Sequence, residues 1–143
     1  MPEMLLKLAT HLQALKFASH YFHNICSKVA FFSDHEFFGE VYNAADDSYD
    51  SVIERYIGLF GASNLNLNSL VQMSHDKIKM VPSQFPDNHA MFGIVLQMEN
   101  ELNALCNAIC KSPECSEGTR QLVGDLANAC EMRLYKIKCR MMK

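Results

Sequence analysis

Apolar residues recur along this chain at steps of three and four, and they do so in four long blocks. In the first, Leu5, Leu8, Leu12, Leu15, Ser19 and Phe22 fall on one stripe, the spacing with which an α-helix turns one face to a core. Pro2 suits the first turn of that helix, where its missing N–H would have no partner anyway. A second block begins at Ser33, where Ser33 and Glu36 have the spacing of a capping box. It runs through Phe38, Val41, Ala45, Val52, Tyr56 and Leu59, with Gly58 and Gly61 marking its end. The third follows Pro86 and Asp87 and carries Met91, Val95, Met98, Leu102, Leu105 and Ile109. The fourth follows the break "KSPECSEG" and carries Leu122, Leu126, Cys130, Leu134 and Ile137. No alternating strand pattern competes, so the chain reads as all-α, a single domain over residues 1–143.

The links between blocks choose the topology. Blocks one and two, and blocks three and four, are joined by short connections that favour antiparallel neighbours, whereas the stretch 61–86 separates the two hairpins. Within that stretch "NSLVQMSHDKI" is apolar enough for a short helix of its own, expected to cover the apolar side of the second helix. Two hairpins joined by one long crossover make a four-helix bundle of the ferritin-like arrangement.

Composition narrows the class of function. Of 143 residues, 49% are apolar and 20% charged, which excludes a disordered chain and is enough to bury a core. No apolar run approaches a bilayer span, and "MPEMLLKL" carries an acid where a signal peptide would carry basic charge, so the expected location is the cytoplasm with no membrane partner. Six cysteines in that setting read as reduced thiols. The net charge of −3 argues against nucleic acid as an obligatory partner.

Four residues stand out chemically. His23, His35, Asp50 and Glu54 offer two imidazoles and two carboxylates with no thiolate, a mixed nitrogen and oxygen set that suits iron better than a closed structural zinc site. Asp50 and Glu54 lie four apart in a helical block, so both project from one face. Taken singly, a helix histidine is usually a surface or satisfied core residue, and an Asp/Glu pair at this spacing usually faces solvent. The combination raises the specificity.

The run "FFSDHEFFGEVYNAADDSYDSVIERYIGLFG", with His23 upstream, resembles the Dps family of miniferritins, and the resemblance extends over nearly the whole chain. It implies a ferroxidase centre built from His23, His35, Asp50 and Glu54, with Fe2+ as the metal oxidised by hydrogen peroxide or oxygen, and ferric iron stored in a hollow dodecameric shell that protects against oxidative damage. It further implies that each centre spans a twofold interface, the histidines coming from one subunit and the carboxylates from its neighbour. A conventional ferritin centre fits less well, because no Glu here has a His three residues later.

Two departures from the family pattern set the alternatives. Many members have an Asp ligand where this chain has Gly39, and Glu40 beside it points about 100° away around the helix. Restoring that carboxylate with Gly39→Asp is expected to strengthen a second iron position. The family's usual Trp after the first His is Asn24 here. The chain also lacks a Lys-rich N-terminal tail, so DNA binding is expected to be weak, with Lys136, Lys138, Arg140 and Lys143 as its other source; in a last helical turn such cations ordinarily complement the helix dipole. The competing function is a non-catalytic shell or DNA-associated structural protein, zinc-occupied in its milder form. Glu114, Glu117 and Asp125 are pore candidates that would concentrate Fe2+. His20 either touches the metal site or lies exposed on its helix; His11, His75 and His89 read as ordinary polar positions. Cys106, Cys110 and Cys115 lack zinc-site spacing and read as buried thiols.

Overall fold

The computed structural model describes residues 1–85 and 87–142. It consists of five helices, α1 (Pro2–Ile25), α2 (Phe31–Phe60), α3 (Leu67–Ile78), α4 (Asn88–Lys111) and α5 (Glu117–Met141), with no strand among the described residues. Three of the helices start where a short polar side chain can accept a free backbone N–H. Asn66 accepts from the Ser69 amide at 3.0 Å, Asp87 from the Ala90 amide at 2.9 Å and Ser116 from the Thr119 amide at 3.2 Å.

α2 departs from expectation at its start. It begins at Phe31, ahead of Ser33, and the Ser33 hydroxyl donates back to the Ala30 carbonyl at 3.1 Å instead of capping. Lys28, at φ 70°, makes the turn that allows this, with the Phe31 amide bonded to the Lys28 carbonyl at 3.0 Å. The predicted end holds: Gly61 takes φ 81°, which side chains resist, and its amide bonds to the Ile57 carbonyl. Gly58 lies inside the helix.

α1 and α2 pack along their lengths as one hairpin and α4 and α5 as the other, with α1 set against α4. α1 is therefore central, and beyond the predicted stripe it also buries Ala9, Thr10, His11, Ala14 and Ala18. Each fully buried Leu or Phe on these faces contributes roughly 1.5–3 kcal/mol. α3 packs against α1 and does not cover α2, whose core face α1 already fills. Two positions fall out of the predicted stripes: Leu59 is exposed, and Val123 is buried in place of the half-buried Leu122. The α4–α5 pair is pinned by a buried ion pair, Arg133 Nε donating to Glu99 Oε1 at 2.9 Å, while the Cys130 thiol donates to the Glu99 carbonyl.

Candidate metal centre

His23 lies near the end of α1 and His35 in the first turns of α2, and the short α1–α2 connection brings them face to face. His23 Nδ1 lies 2.7 Å from the His35 carbonyl, and His35 Nδ1 lies 2.6 Å from the His23 carbonyl. A carbonyl can only accept, so both Nδ1 atoms carry the proton. That tautomer puts the lone pair a metal would need on Nε2 of each ring. The rings stack with centroids 3.6 Å apart and 21° between planes, and Phe31 stacks on His35 at 4.9 Å.

Gly39 explains how the stack fits. A Cβ there would lie 3.2 Å from His23 Nδ1 and 3.3 Å from its Cε1, so the His23 ring sits in the space a side chain at 39 would need. Glu40, the neighbouring carboxylate, is exposed and paired with Lys136 at 2.9 Å, so it does not replace the absent Asp.

The helices that carry the histidines meet α4 over a buried aromatic cluster. Phe22, Phe38 and Phe92 are fully or nearly fully buried, with Phe38 and Phe92 centroids 4.7 Å apart and Phe22 and Phe38 5.7 Å apart. Beside them Asp34, adjacent to His35, is 1% exposed and takes a two-point contact from Arg140, whose Nε and terminal nitrogen each lie 2.9 Å from a carboxylate oxygen. Asn88 donates to Asp34 and to the Ser27 carbonyl, both at 2.8 Å. The guanidinium also lies 5.0 Å from the Phe92 centroid. This network ties α5 and the start of α4 to the corner that carries the imidazoles. Sequence reasoning missed it because a residue 106 positions away has no periodic signal.

The carboxylates lie elsewhere. Asp50 and Glu54 follow His35 on α2 by 15 and 19 residues, or about 22 and 28 Å along the helix axis. Both are exposed, and Glu54 lines an open cleft of about 560 Å³ with Ser51, Arg55, Gly58, Leu59 and Leu122. Tyr49 alongside has its phenol pKa raised, first by burial and then by the Asp50 charge. Among the described residues neither carboxylate forms an ion pair, and no group of three or more His, Cys, Asp or Glu side chains gathers to hold a metal. The single chain thus brings the histidines together and the carboxylates together, and keeps the two pairs apart.

Known structures share this arrangement of helices. The chain superposes over 99% of its length on Dps from Microbacterium arborescens in the high iron form, covering 91% of that chain with a TM-score of 0.83 at 14% identity. The fold is that of Dps. It also matches antigen TpF1 from Treponema pallidum, with TM-score 0.82, 14% identity, and 99% and 91% of the two chains covered. A third match is the Dps protein from Vibrio cholerae O1, described as a member of a broad superfamily of ferritin-like diiron-carboxylate proteins. There the TM-score is 0.69 and the identity 18%, over 99% and 88% of the two chains. No sequence-family model matches the chain, and no curated protein matches it.

Within the Dps fold the remaining charged candidates are mostly engaged. Arg140 is committed to Asp34 and Lys136 to Glu40, which neutralises half of the C-terminal basic set; Lys138 is exposed and Lys143 lies outside the described residues. Of the pore candidates, Glu114 binds the N-terminal amine at 2.9 Å and Glu117 pairs with Arg120, leaving Asp125 exposed. His11, expected to be an ordinary polar position, is fully buried, with Nε2 2.8 Å from the Met98 carbonyl. His20 is exposed but not idle: it stacks on Tyr42 at 4.2 Å, and Tyr42 meets His23 edge-on at 5.2 Å. No described helix is long and apolar enough to cross a membrane.

Proposed function

We propose that this chain is a miniferritin subunit that oxidises Fe2+ at a centre shared between two copies and stores the ferric product inside a closed shell. The observation that carries the reading is the split ligand set. The His23–His35 pair directs both Nε2 atoms away from its own bonds, Asp50 and Glu54 are exposed and form no ion pair among the described residues, and about 22 Å of one helix stands between the two pairs. Two copies packed with their α2 helices antiparallel would set each histidine pair against the other copy's carboxylates. The apolar groove lined by Phe17, Tyr49, Leu67, Leu70 and Val71, next to Asp50, is a suitable surface for that contact.

In this reading Fe2+ is the substrate. Asp50 and Glu54 lower the energy of the ferric product through their charge, while His23 and His35, each with one free Nε2, hold iron from the histidine side of the centre. Each ferrous ion gives up one electron, so two of them reduce one molecule of hydrogen peroxide, whose O–O bond breaks to leave both oxygens at the level of water. Hydrolysis of the ferric ions releases protons and yields the oxyhydroxide that is stored. Consuming Fe2+ and peroxide together removes both reactants of hydroxyl-radical chemistry.

Anaerobic Fe2+ loading followed by peroxide or oxygen, with stopped-flow detection of the ferric product, tests the centre. The variant Asp50→Asn/Glu54→Gln should stay assembled and oxidise iron near the protein-free rate; oxidation at the parent rate would refute the assignment. Mass photometry should give a dodecamer, and monomers or dimers alone at micromolar concentration would refute the shell. The competing reading, a zinc-occupied or structural shell without turnover, is favoured by Gly39 and predicts slow oxidation in the parent as well.

A further inference from the structure

We propose that His20 is a further metal ligand, holding together with His23 a second cation position on the histidine side of the centre. The inference rests on the oxidation centre proposed above and assigns it an additional ligand. His20 and His23 are three residues apart on α1 and share a face of the helix, with ring centroids 6.1 Å apart and 60° between planes. Two imidazole nitrogens bound to one first-row cation at about 2.1 Å hold their ring centroids roughly 5–6.5 Å apart, depending on the angle at the metal. The His20–His23 separation falls in that range. The His23–His35 separation of 3.6 Å does not, so those two rings cannot share one ion without leaving their stack; the single free Nε2 of His23 therefore serves the ion held with His20, and that of His35 serves the ion held with the carboxylates.

The surroundings favour nitrogen over oxygen here. The His23 ring occupies the space a side chain at Gly39 would fill, Glu40 is held by Lys136 and Asp34 by Arg140, so none of these three positions supplies a free carboxylate here. Tyr42 joins the pair: His20 lies flat on it and His23 meets its edge, so one phenol ring spaces both imidazoles. The Nδ1 proton of His23 is committed to the His35 carbonyl, leaving Nε2 as its donor atom, while His20 is held on Tyr42 at an exposed position. A position with two imidazoles and solvent takes cations in the Irving–Williams order, so it holds Co2+ and Zn2+ more tightly than Fe2+.

Anaerobic titration of the assembled protein with Co2+, followed by calorimetry and by its visible absorption, tests this. The parent should bind two Co2+ per chain. His20→Gln, at an exposed position, should keep the shell intact by light scattering and lose one of the two ions or weaken it by about tenfold or more. Asp50→Asn/Glu54→Gln should lose the other ion and keep the one His20 holds. Two ions of parental affinity in His20→Gln, or a single ion per chain in the parent, would overturn the proposal while leaving the oxidation centre standing. Loss of both ions in the carboxylate variant would overturn it too, because the position is furnished by one chain. Parental binding of both ions by that variant would refute the oxidation centre instead, and His20→Gln would still decide the role of His20.

Discussion

The Nδ1 atoms of His23 and His35 bond to each other's backbone carbonyls at 2.7 and 2.6 Å, so the side chains offered to a metal also fasten α1 to α2. Ligand orientation and the fold of this corner are therefore one feature. The rings are set by the backbone before any ion arrives, which lowers the ordering cost of binding.

Gly39→Ala should not deliver the stability that a helix interior normally gains. Replacing Gly by Ala in a helix is worth about 1 kcal/mol, but here the new Cβ meets the locked His23 ring at 3.2–3.3 Å. We expect thermal stability at or below the parent's and several-fold slower iron oxidation, both checked at fixed protein concentration. Gly39→Asp meets the same His23 ring, so we expect it to bind a second iron no better than the parent, where the sequence alone predicted a gain; anaerobic Fe2+ titration of the two proteins compares them.

Arg140→Met should destabilise the protein by about 2–4 kcal/mol. The methionine keeps apolar cover on Phe92, but Asp34 is left buried without its cation. Arg140→Lys should recover only part of the loss, since an ammonium cannot reproduce the two-point contact. Denaturant melts of both variants give the comparison, and iron oxidation should fall in parallel because Asp34 adjoins His35.

His11 should make stability fall as the solution turns acid. Burial is the main cause that lowers its pKa below 6.5, outweighing the Met98 carbonyl and the Glu101 charge, which raise it. Below pH 6.5 the unfolded chain therefore binds a proton that the folded one refuses, and stability present above that pH is lost as pH drops toward the folded value. The slope reaches about 1.4 kcal/mol per pH unit for one group. His11→Gln can keep the bond to the Met98 carbonyl and should flatten the pH 7 to 5 part of the stability curve relative to the parent.

Thiol labelling at pH 8 should single out Cys139, which is exposed. Cys106 and Cys130 should stay unlabelled until the protein unfolds: burial pushes the Cys106 thiol up to about 12 and raises that of Cys130 as well. Mass spectrometry of native and unfolded samples reads this directly.

DNA should bind weakly near physiological salt and be released as salt rises. Arg140 and Lys136 are already paired with acids of the same chain. Gel-shift titration showing tight, salt-resistant complexes would contradict this.

Much of the architecture follows from local spacing. The four long helices, the short helix in the crossover, the Asp87 cap and the Gly61 stop all lie within windows of a few residues, where periodicity and backbone sterics act directly. The pairing of Asp50 with Glu54 on one face is of the same kind. The tertiary structure decided what depends on distant partners. Ser33 gave up its capping role to a turn made by Lys28, and α3 settled on α1 because α2's core face was taken. His11 became a core residue because α4 closed over it with a carbonyl, and Arg140 became the partner of Asp34 from the far end of the chain. The reciprocal bonds of His23 and His35 needed both helices in place. That separation has one physical cause: helical period is written between neighbours in sequence, whereas which buried polar group finds which partner depends on how the helices pack.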